Sequence, residues 1–180
     1  MRKLLLIIGL MAVLGMTMTS CLESEVEDKY KDWRKENVEW FDLQRANTSY
    51  YKIVTAPWDP NGQVLVHWYN DTMATRGNLK PLFTSCVDIK YHGMLYDSTP
   101  FDSSYLSTSP RDSILRFTLS NTVEGWALGV MQMHVGDSCR VVVPYSMGYG
   151  SYSMGSIIKP FSALVFDIKL DDIYAYEVKP

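Results

Sequence analysis

The chain has 180 residues, of which 47% are hydrophobic, 13% aromatic and 21% charged, an ordinary composition for a folded globular protein that excludes intrinsic disorder and low-complexity fibres. The 17 Lys and Arg residues against 20 Asp and Glu give a formal net charge of −3. This mixed, slightly acidic charge excludes the basic surface with which proteins bind nucleic acid.

The first 20 residues have the pattern of a signal peptide. Arg2 and Lys3 precede an apolar run over residues 4–14, which is shorter than the roughly 20 residues needed to span a bilayer. Residues 18–21, with Ser20 before Cys21, resemble the lipobox of bacterial lipoproteins. This resemblance implies a lipidated Cys21 as the mature N-terminus, with the protein anchored in the bacterial cell envelope and facing the periplasm or the cell surface. Ordinary secretion is the alternative.

Residues 22–46 are predicted to form an amphipathic helix with a narrow apolar face. The apolar side chains that recur at helical spacing are Val26, Tyr30, Trp33, Trp40 and Leu43. Such a stripe docks either on its own domain or on a second copy of the chain, which would make a homodimer. The spacing fits both arrangements.

The rest of the chain is predicted to alternate strands and turns around one short helix. A hairpin is expected from strand-like residues 50–55 and 63–69, joined by turn residues 57–62. A polar loop over 70–78 follows. Further strands are predicted over 86–95, 116–119, 138–143 and 163–173, with a helix over 125–133 and a loop over 145–159. This order indicates an α+β domain with an antiparallel sheet.

Most catalytic chemistries find no support in the sequence. His67, His92 and His134 are scattered without the spacing of metal ligands, and no Gly-x-Ser-x-Gly motif or glycine-rich phosphate loop is present. We therefore expect neither a metal nor a cofactor. The two cysteines that follow Cys21, Cys86 and Cys139, could pair in an oxidising compartment, but both lie in apolar strand-like runs. Two buried thiols are the favoured interpretation.

Several motifs resemble, in order, those of the FKBP-type peptidyl-prolyl isomerases. The matching segments are 91–95 (YHGML), 101–104 (FDSS), 123–126 (VEGW) with Gly129, Val130 and Met133, 149–150 (YG), 157–158 (II) and 163–167 (ALVFD). The resemblance covers roughly residues 85–173. It implies a five-stranded antiparallel sheet wrapped around one short helix, here with an N-terminal helical and hairpin extension. In that fold the strands of Cys86 and Cys139 are not neighbours, which lowers the expectation of a disulfide.

The resemblance also divides the chain and assigns roles to its residues. We expect a signal peptide over 1–20, a lipid-anchored linker and helix over 21–49, a first strand and hairpin insertion over 50–84 and the isomerase domain over 85–175. The catalytic candidates are Asp102, held by a hydrogen bond from the Tyr91 hydroxyl, together with Tyr91 and Tyr149. The candidates for the apolar substrate pocket are Phe101, Leu115, Val123, Trp126, Ile157, Ile158 and Phe166. The expected substrates are proline-containing polypeptides of the envelope, whose folding the protein would assist, and macrolide inhibitors are possible ligands.

Departures from the family pattern leave an alternative open. Leu115 stands where an aromatic wall residue is usual, and the stretch between Phe117 and Trp126 is two residues short. The loop over 151–156 also lacks the frequent His-Pro-Gly sequence. A catalytically weak peptide-binding module with chaperone function is therefore the alternative to an active isomerase.

Overall fold

The computed structural model describes residues 25–177 of the chain. The expected signal peptide and Cys21 lie outside the described residues. No helix within residues 25–177 combines the length and apolar character that a transmembrane span requires.

Besides helical residues 25–29 and two short 3-10 helices, the described residues form two α-helices and seven strands. In chain order they are α1 (Lys31–Ala46), β1 (Lys52–Ala56), β2 (Asp59–Trp68), β3 (Cys86–Leu95), β4 (Pro100–Ser103), β5 (Leu115–Thr118), α2 (Glu124–Val130), β6 (Ser138–Val143) and β7 (Leu164–Ala175). The bounds of β3 and β6 are those predicted. Helix α2 ends earlier than expected, at Val130 rather than at residue 133.

All seven strands join one antiparallel sheet, so the predicted α+β class is confirmed. The strand order is β1-β2-β6-β7-β3-β4, and β5 also pairs with β3. Strands β4 and β5 share one edge of β3, because β4 pairs with residues 92–94 and β5 with residues 86–89. Five strands, β3 to β7, lie in the part of the chain that resembles the isomerases, and β1 and β2 extend their sheet beyond β6.

The hairpin of β1 and β2 turns more tightly than the sequence suggests. Ala56 pairs with Asp59, so only Pro57 and Trp58 form the turn instead of all residues from 57 to 62. The turn leaves the Trp58 side chain half exposed. The Trp58 indole contacts Glu124, the first residue of α2.

Helix α2 packs closely against the sheet and fills its concave side. Residues 125–130 are all buried. A Cβ atom added at Gly129 would lie 2.6 Å from a methyl carbon of Val141 on β6. Glycine at this position therefore allows the helix to approach the strand and form the core.

Helix α1 docks on its own domain, one of the two partners left open by the sequence. The Trp33 indole N–H donates to Ser162 Oγ at 3.1 Å, and Asn37 Oδ1 accepts the backbone N–H of Ala163 at 2.8 Å. The buried residues of the helix are Asn37 and Phe41. Neither belongs to the predicted stripe, and Leu43, which does, is 68% exposed. The prediction that Leu43 belongs to the docking face of α1 is therefore wrong, and the burial of Asn37 and Phe41 was not predicted.

Cys86 and Cys139 are free thiols, and Cys139 is buried as expected, whereas Cys86 is half-buried. They lie on β3 and β6, which β7 separates in the sheet. Burial raises the pKa of the Cys139 thiol well above its ordinary value, so this side chain is uncharged and unreactive at neutral pH.

Candidate functional site

A cavity of about 470 Å³ lies between α2 and the sheet, at the end where β3 meets β4. Its lining is mostly aromatic. The lining residues are Tyr91, Phe101, Asp102, Phe117, Asn121, Thr122, Val123, Trp126, Tyr149, Met154 and Phe166. They come from four strands, from α2 and from the loops next to them, so the cavity forms only in the folded chain.

Three aromatic rings form one side of the cavity. The Trp126 ring on α2 lies 5.5 Å from the Phe117 ring and 6.4 Å from the Tyr91 ring, measured between ring centroids. Tyr91 and Phe117 are 5.7 Å apart, and all three pairs have the edge-to-face geometry that aromatic rings prefer. This packing fixes the Trp126 indole as a rigid apolar surface at the base of the cavity.

A second aromatic pair forms the opposite wall. The rings of Phe101 on β4 and Phe166 on β7 are 5.6 Å apart and nearly perpendicular, with an interplanar angle of 86°. Both rings lie over Gly93 of β3. A Cβ atom at Gly93 would be only 2.7 Å from the Phe101 ring, so the missing side chain makes room for this wall.

Asp102 is the only residue of the lining that has a carboxylate, and it is exposed. The Tyr91 hydroxyl donates a hydrogen bond of 2.5 Å to Asp102 Oδ2, as the sequence predicted. The backbone N–H of Ser103 donates to Oδ1 at 2.8 Å, which fixes the orientation of the carboxylate. Burial, followed by the hydrogen bond to Asp102 and the charge of that residue, raises the pKa of Tyr91 well above its ordinary value. The Tyr91 hydroxyl therefore stays protonated and keeps donating.

Two further hydrogen-bond donors face the same space. Burial, and then the charge of Asp102, raise the pKa of Tyr149, so that its hydroxyl is also protonated at neutral pH. Val123 immediately precedes α2 with extended backbone angles (φ −62°, ψ 141°). Within residues 25–177 no protein group accepts a hydrogen bond from the Val123 N–H. Both groups can donate to carbonyl oxygens of a bound molecule.

The arrangement suits binding of an extended polypeptide that inserts an apolar ring. The lining of the cavity is mostly apolar, and its polar side chains are those of Tyr91, Asp102, Asn121, Thr122 and Tyr149. No group of three or more His, Cys, Asp or Glu side chains in the described part of the chain could hold a metal ion. The chemistry that this lining can provide is therefore apolar contact, hydrogen bonding and one fixed negative charge.

Comparison with known proteins places this site in a family. The model of the FKBP-type peptidyl-prolyl cis-trans isomerases matches residues 78–171, more than half of the chain. The chain belongs to this family. All the residues that line the cavity lie within the matched FKBP region.

Individual relatives agree with this assignment. The FKBP-type 22 kDa peptidyl-prolyl cis-trans isomerase of Escherichia coli (strain K12) is 34% identical over 93 residues, which are 52% of this chain and 43% of that protein. The chain thus matches less than half of that relative's length.

Two solved structures share the fold. A peptidyl-prolyl cis-trans isomerase from Pseudomonas syringae pv. tomato gives a TM-score of 0.63 at 25% identity, covering 80% of this chain and 95% of the other. FkpA from Escherichia coli gives 0.64 at 22% identity, covering 92% and 72%. At the latter identity the likeness concerns the fold alone.

Most of the site residues expected from the FKBP resemblance meet in the cavity. Those that line it are Tyr91, Phe101, Asp102, Val123, Trp126, Tyr149 and Phe166. Leu115, Ile157 and Ile158 do not. Leu115 pairs with Ile89 and packs on the core, Ile158 is buried within the core, and Ile157 is 38% exposed. The expected part of these three side chains in substrate binding stays a prediction.

Other residues take the places of these three. Phe117, two residues after Leu115 on β5, lines the cavity. It supplies the aromatic wall residue that the family pattern has at the position of Leu115. The Arg116 guanidinium donates to both carboxylate oxygens of buried Asp88, at 2.7 and 2.9 Å, which holds β5 against β3. An aromatic side chain two positions after Leu115, and therefore on the same face of the strand, was the available signal for Phe117.

The loop that follows β6 contributes Met154. The backbone N–H of Met154 donates to the carbonyl of Ile158 at 2.9 Å, so the loop folds back and brings the methionine over the cavity. Asn121 and Thr122 complete the lining beside Val123. No sequence signal marked Met154, because its position depends on how the loop turns.

Proposed function

We propose that the protein is a peptidyl-prolyl cis-trans isomerase that binds X-Pro segments of polypeptides in the aromatic cavity. The observation that carries the proposal is the enclosure of apolar space by Trp126, Tyr91, Phe101 and Phe166, with the Asp102 carboxylate fixed at its rim. Rotation about an X-Pro bond breaks no covalent bond, so it needs no nucleophile or metal. It needs only a lowered rotational barrier, which amide resonance sets at about 18–20 kcal/mol.

The lining lowers this barrier by binding the twisted amide better than the planar one. A twisted amide has lost part of its charge separation, so apolar surroundings penalise it less than the planar ground state. In this proposal Trp126 supports the proline ring from below, and Phe101 and Phe166 hold it from the side. Asp102 acts on the rotating carbonyl, while the Val123 N–H and the Tyr149 hydroxyl hold neighbouring carbonyls of the substrate.

The alternative, a catalytically weak binding module, has less support than the sequence alone gave it. It depended on Leu115 in place of an aromatic wall residue and on the shortened stretch before Trp126. Phe117 supplies an aromatic ring to the wall, whereas the shortened stretch still favours the alternative. The alternative is therefore one outcome of the test below.

The cellular setting is part of the proposal. The lipobox-like residues 18–21 support removal of residues 1–20 and lipid anchoring through Cys21 in the envelope of a bacterium. We keep the division into a linker and helix over 21–49, a hairpin insertion over 50–84 and the isomerase domain over 85–175. Envelope proteins in the course of folding are the proposed substrates. Association of two copies through α1 is not included, because Trp33 and Phe41 contact the helix's own domain.

The test is an isomerisation assay on a series of peptides that differ in the residue before proline. We expect acceleration by the chain lacking residues 1–21, inhibition by a macrolide of the tacrolimus class, and loss of both in Trp126→Ala. The matched control is Trp40→Ala, which removes a half-buried tryptophan of α1 away from the cavity. Peptide binding without acceleration for any peptide would favour the binding module. Neither binding nor acceleration would refute both functions.

A further inference from the structure

A second cavity, of about 480 Å³, lies beside the first and is lined by Trp58, Phe83, Thr122 and Glu124. Two of its four lining residues are large aromatic side chains that remain 48% and 41% exposed. Such side chains rarely face solvent side by side on a protein that has no partner for them. Trp58 belongs to the hairpin turn, outside the region that matches the FKBP family model. Trp58 is thus the one lining residue from outside the matched region, and it completes a cavity whose other three residues lie within it.

The exposed tryptophan is held in place. Its indole N–H donates to the carboxylate of Glu124, the first residue of α2. Its ring lies 6.0 Å from the Phe83 ring, in a tilted arrangement. The hydrogen bond satisfies the polar atom of Trp58 and leaves the ring face as preformed apolar surface. Because the side chain is already oriented, a ligand that contacts it does not bear the cost of ordering it.

The two cavities meet at Thr122, two residues before the helix begins. Thr122 lines both, Val123 lines the first and Glu124 lines the second. Adjacent positions in an extended chain advance by about 3.3–3.6 Å each. A polypeptide whose carbonyl accepts a hydrogen bond from the Val123 N–H and that continues past Thr122 therefore reaches the second cavity within about two to four residues of its proline.

We infer that the cavity formed by Trp58 and Phe83 is a second subsite for the same polypeptide substrate, and that it takes an apolar or aromatic side chain about two to four residues from the proline. The inference rests on the proposed function for the first cavity. It makes the protein selective for X-Pro bonds that lie next to exposed apolar residues. Such sequences are found in unfolded chains, because folding buries their apolar side chains.

The experiment compares two peptides that differ at one position. One carries Phe, and the other Ser, at a position two, three or four residues from the same X-Pro bond. Their affinities and isomerisation rates are measured with the purified protein and with Trp58→Ala, Phe83→Ala and Trp58→Phe. Leu43→Ala is the matched control, since it removes an exposed apolar side chain from α1. Thermal unfolding confirms that each variant is folded.

The readout is the preference for the Phe peptide over the Ser peptide within each protein. We expect a preference of about fivefold to tenfold at one of the positions, the size expected for partial burial of one aromatic side chain. It should fall towards one in Trp58→Ala and Phe83→Ala, persist in Leu43→Ala and be largely retained in Trp58→Phe. A merely structural role for Trp58 would change both peptides equally and leave the preference intact, which would overturn the inference.

Failure of the inference and failure of the proposed function give different results. Acceleration without any Phe preference, or a preference that survives both alanine variants, overturns the second subsite and leaves the isomerase proposal standing. Absence of acceleration overturns the isomerase proposal. In that case a Phe preference in affinity that is lost in Trp58→Ala still supports the subsite.

Discussion

Replacing Gly93 by alanine is expected to weaken peptide binding with little effect on folding. Gly93 lies on β3 beneath the two phenylalanines that form one wall of the aromatic cavity. An added Cβ would be 2.7 and 2.9 Å from two carbons of the Phe101 ring and 3.2 Å from the Phe166 ring. Ordinary contact begins at 3.4 Å, so the Phe101 ring must move away from the sheet and change the wall.

The effect on stability is expected to be small because two contributions oppose each other. Overpacking a buried site costs about 1–3 kcal/mol. The clash falls on the outer end of the half-buried Phe101 ring, which can shift, so the low end of this range applies. Alanine also restricts the unfolded chain relative to glycine, which stabilises the fold by about 0.4–1 kcal/mol. The net loss should therefore stay below about 1 kcal/mol.

The effect on binding follows from the altered wall. Loss of part of the apolar contact between Phe101 and a proline ring is worth about 1 kcal/mol, or roughly a fivefold rise in Kd. Peptide affinity and thermal unfolding would be measured on the same preparation. Gly77→Ala is the control, since a Cβ at Gly77 meets nothing within 4 Å. If Gly93→Ala binds peptide as well as Gly77→Ala does, Phe101 is not a wall of the binding site.

Four further outcomes are expected. Asp102→Asn should lower turnover by more than it lowers peptide affinity, because a group that acts on the rotating carbonyl interacts most strongly in the transition state. Equal losses of turnover and affinity would mean that Asp102 is only a turn residue. Asn37→Ala should destabilise the fold by about 1–3 kcal/mol by leaving the buried Ala163 N–H without its acceptor, whereas Glu39→Ala, on the exposed side of α1, should change thermal stability little. Because the pKa values of Tyr91 and Tyr149 are both raised, their hydroxyls should not deprotonate between about pH 6 and pH 9, and a tyrosine deprotonation seen by NMR in that range would contradict this. Mass spectrometry of membrane-extracted protein should show an acylated Cys21 as the first residue, and an unmodified Cys21 would refute lipid anchoring.

The sequence by itself determined the central strands and the order of the elements except β4, which was not predicted as a strand. Strands 86–95 and 138–143 were predicted with their observed bounds, because β-branched and apolar residues there run continuously between turn residues. The motifs around Asp102 and Trp126 led to the family and to the hydrogen bond between Tyr91 and Asp102. The strands follow from local residue patterns, and the hydrogen bond follows from short motifs that resemble those of the family.

Only the tertiary structure decided which apolar side chains reach the cavity. Leu115 and Phe117 lie on the same face of β5, and spacing alone cannot tell which of them meets Trp126. The choice depends on how β5 pairs with β3 and on the length of the connection to α2. Met154 reaches the cavity through a turn of its loop, and Ile157 is left outside by the same turn.

The surroundings of α1 and of Trp58 depend likewise on contacts between segments far apart in the chain. Asn37 is polar and fell outside the apolar stripe, yet it is buried because the Ala163 N–H, 126 positions away, needs its oxygen. The sequence predicted only that Trp58 lies in a turn. Its place beside Phe83 and Glu124 follows from the pairing of the hairpin with β6. Hydrophobic periodicity shows which face of a helix or strand is apolar. Contacts with segments far away in the chain decide which polar and aromatic side chains are buried there.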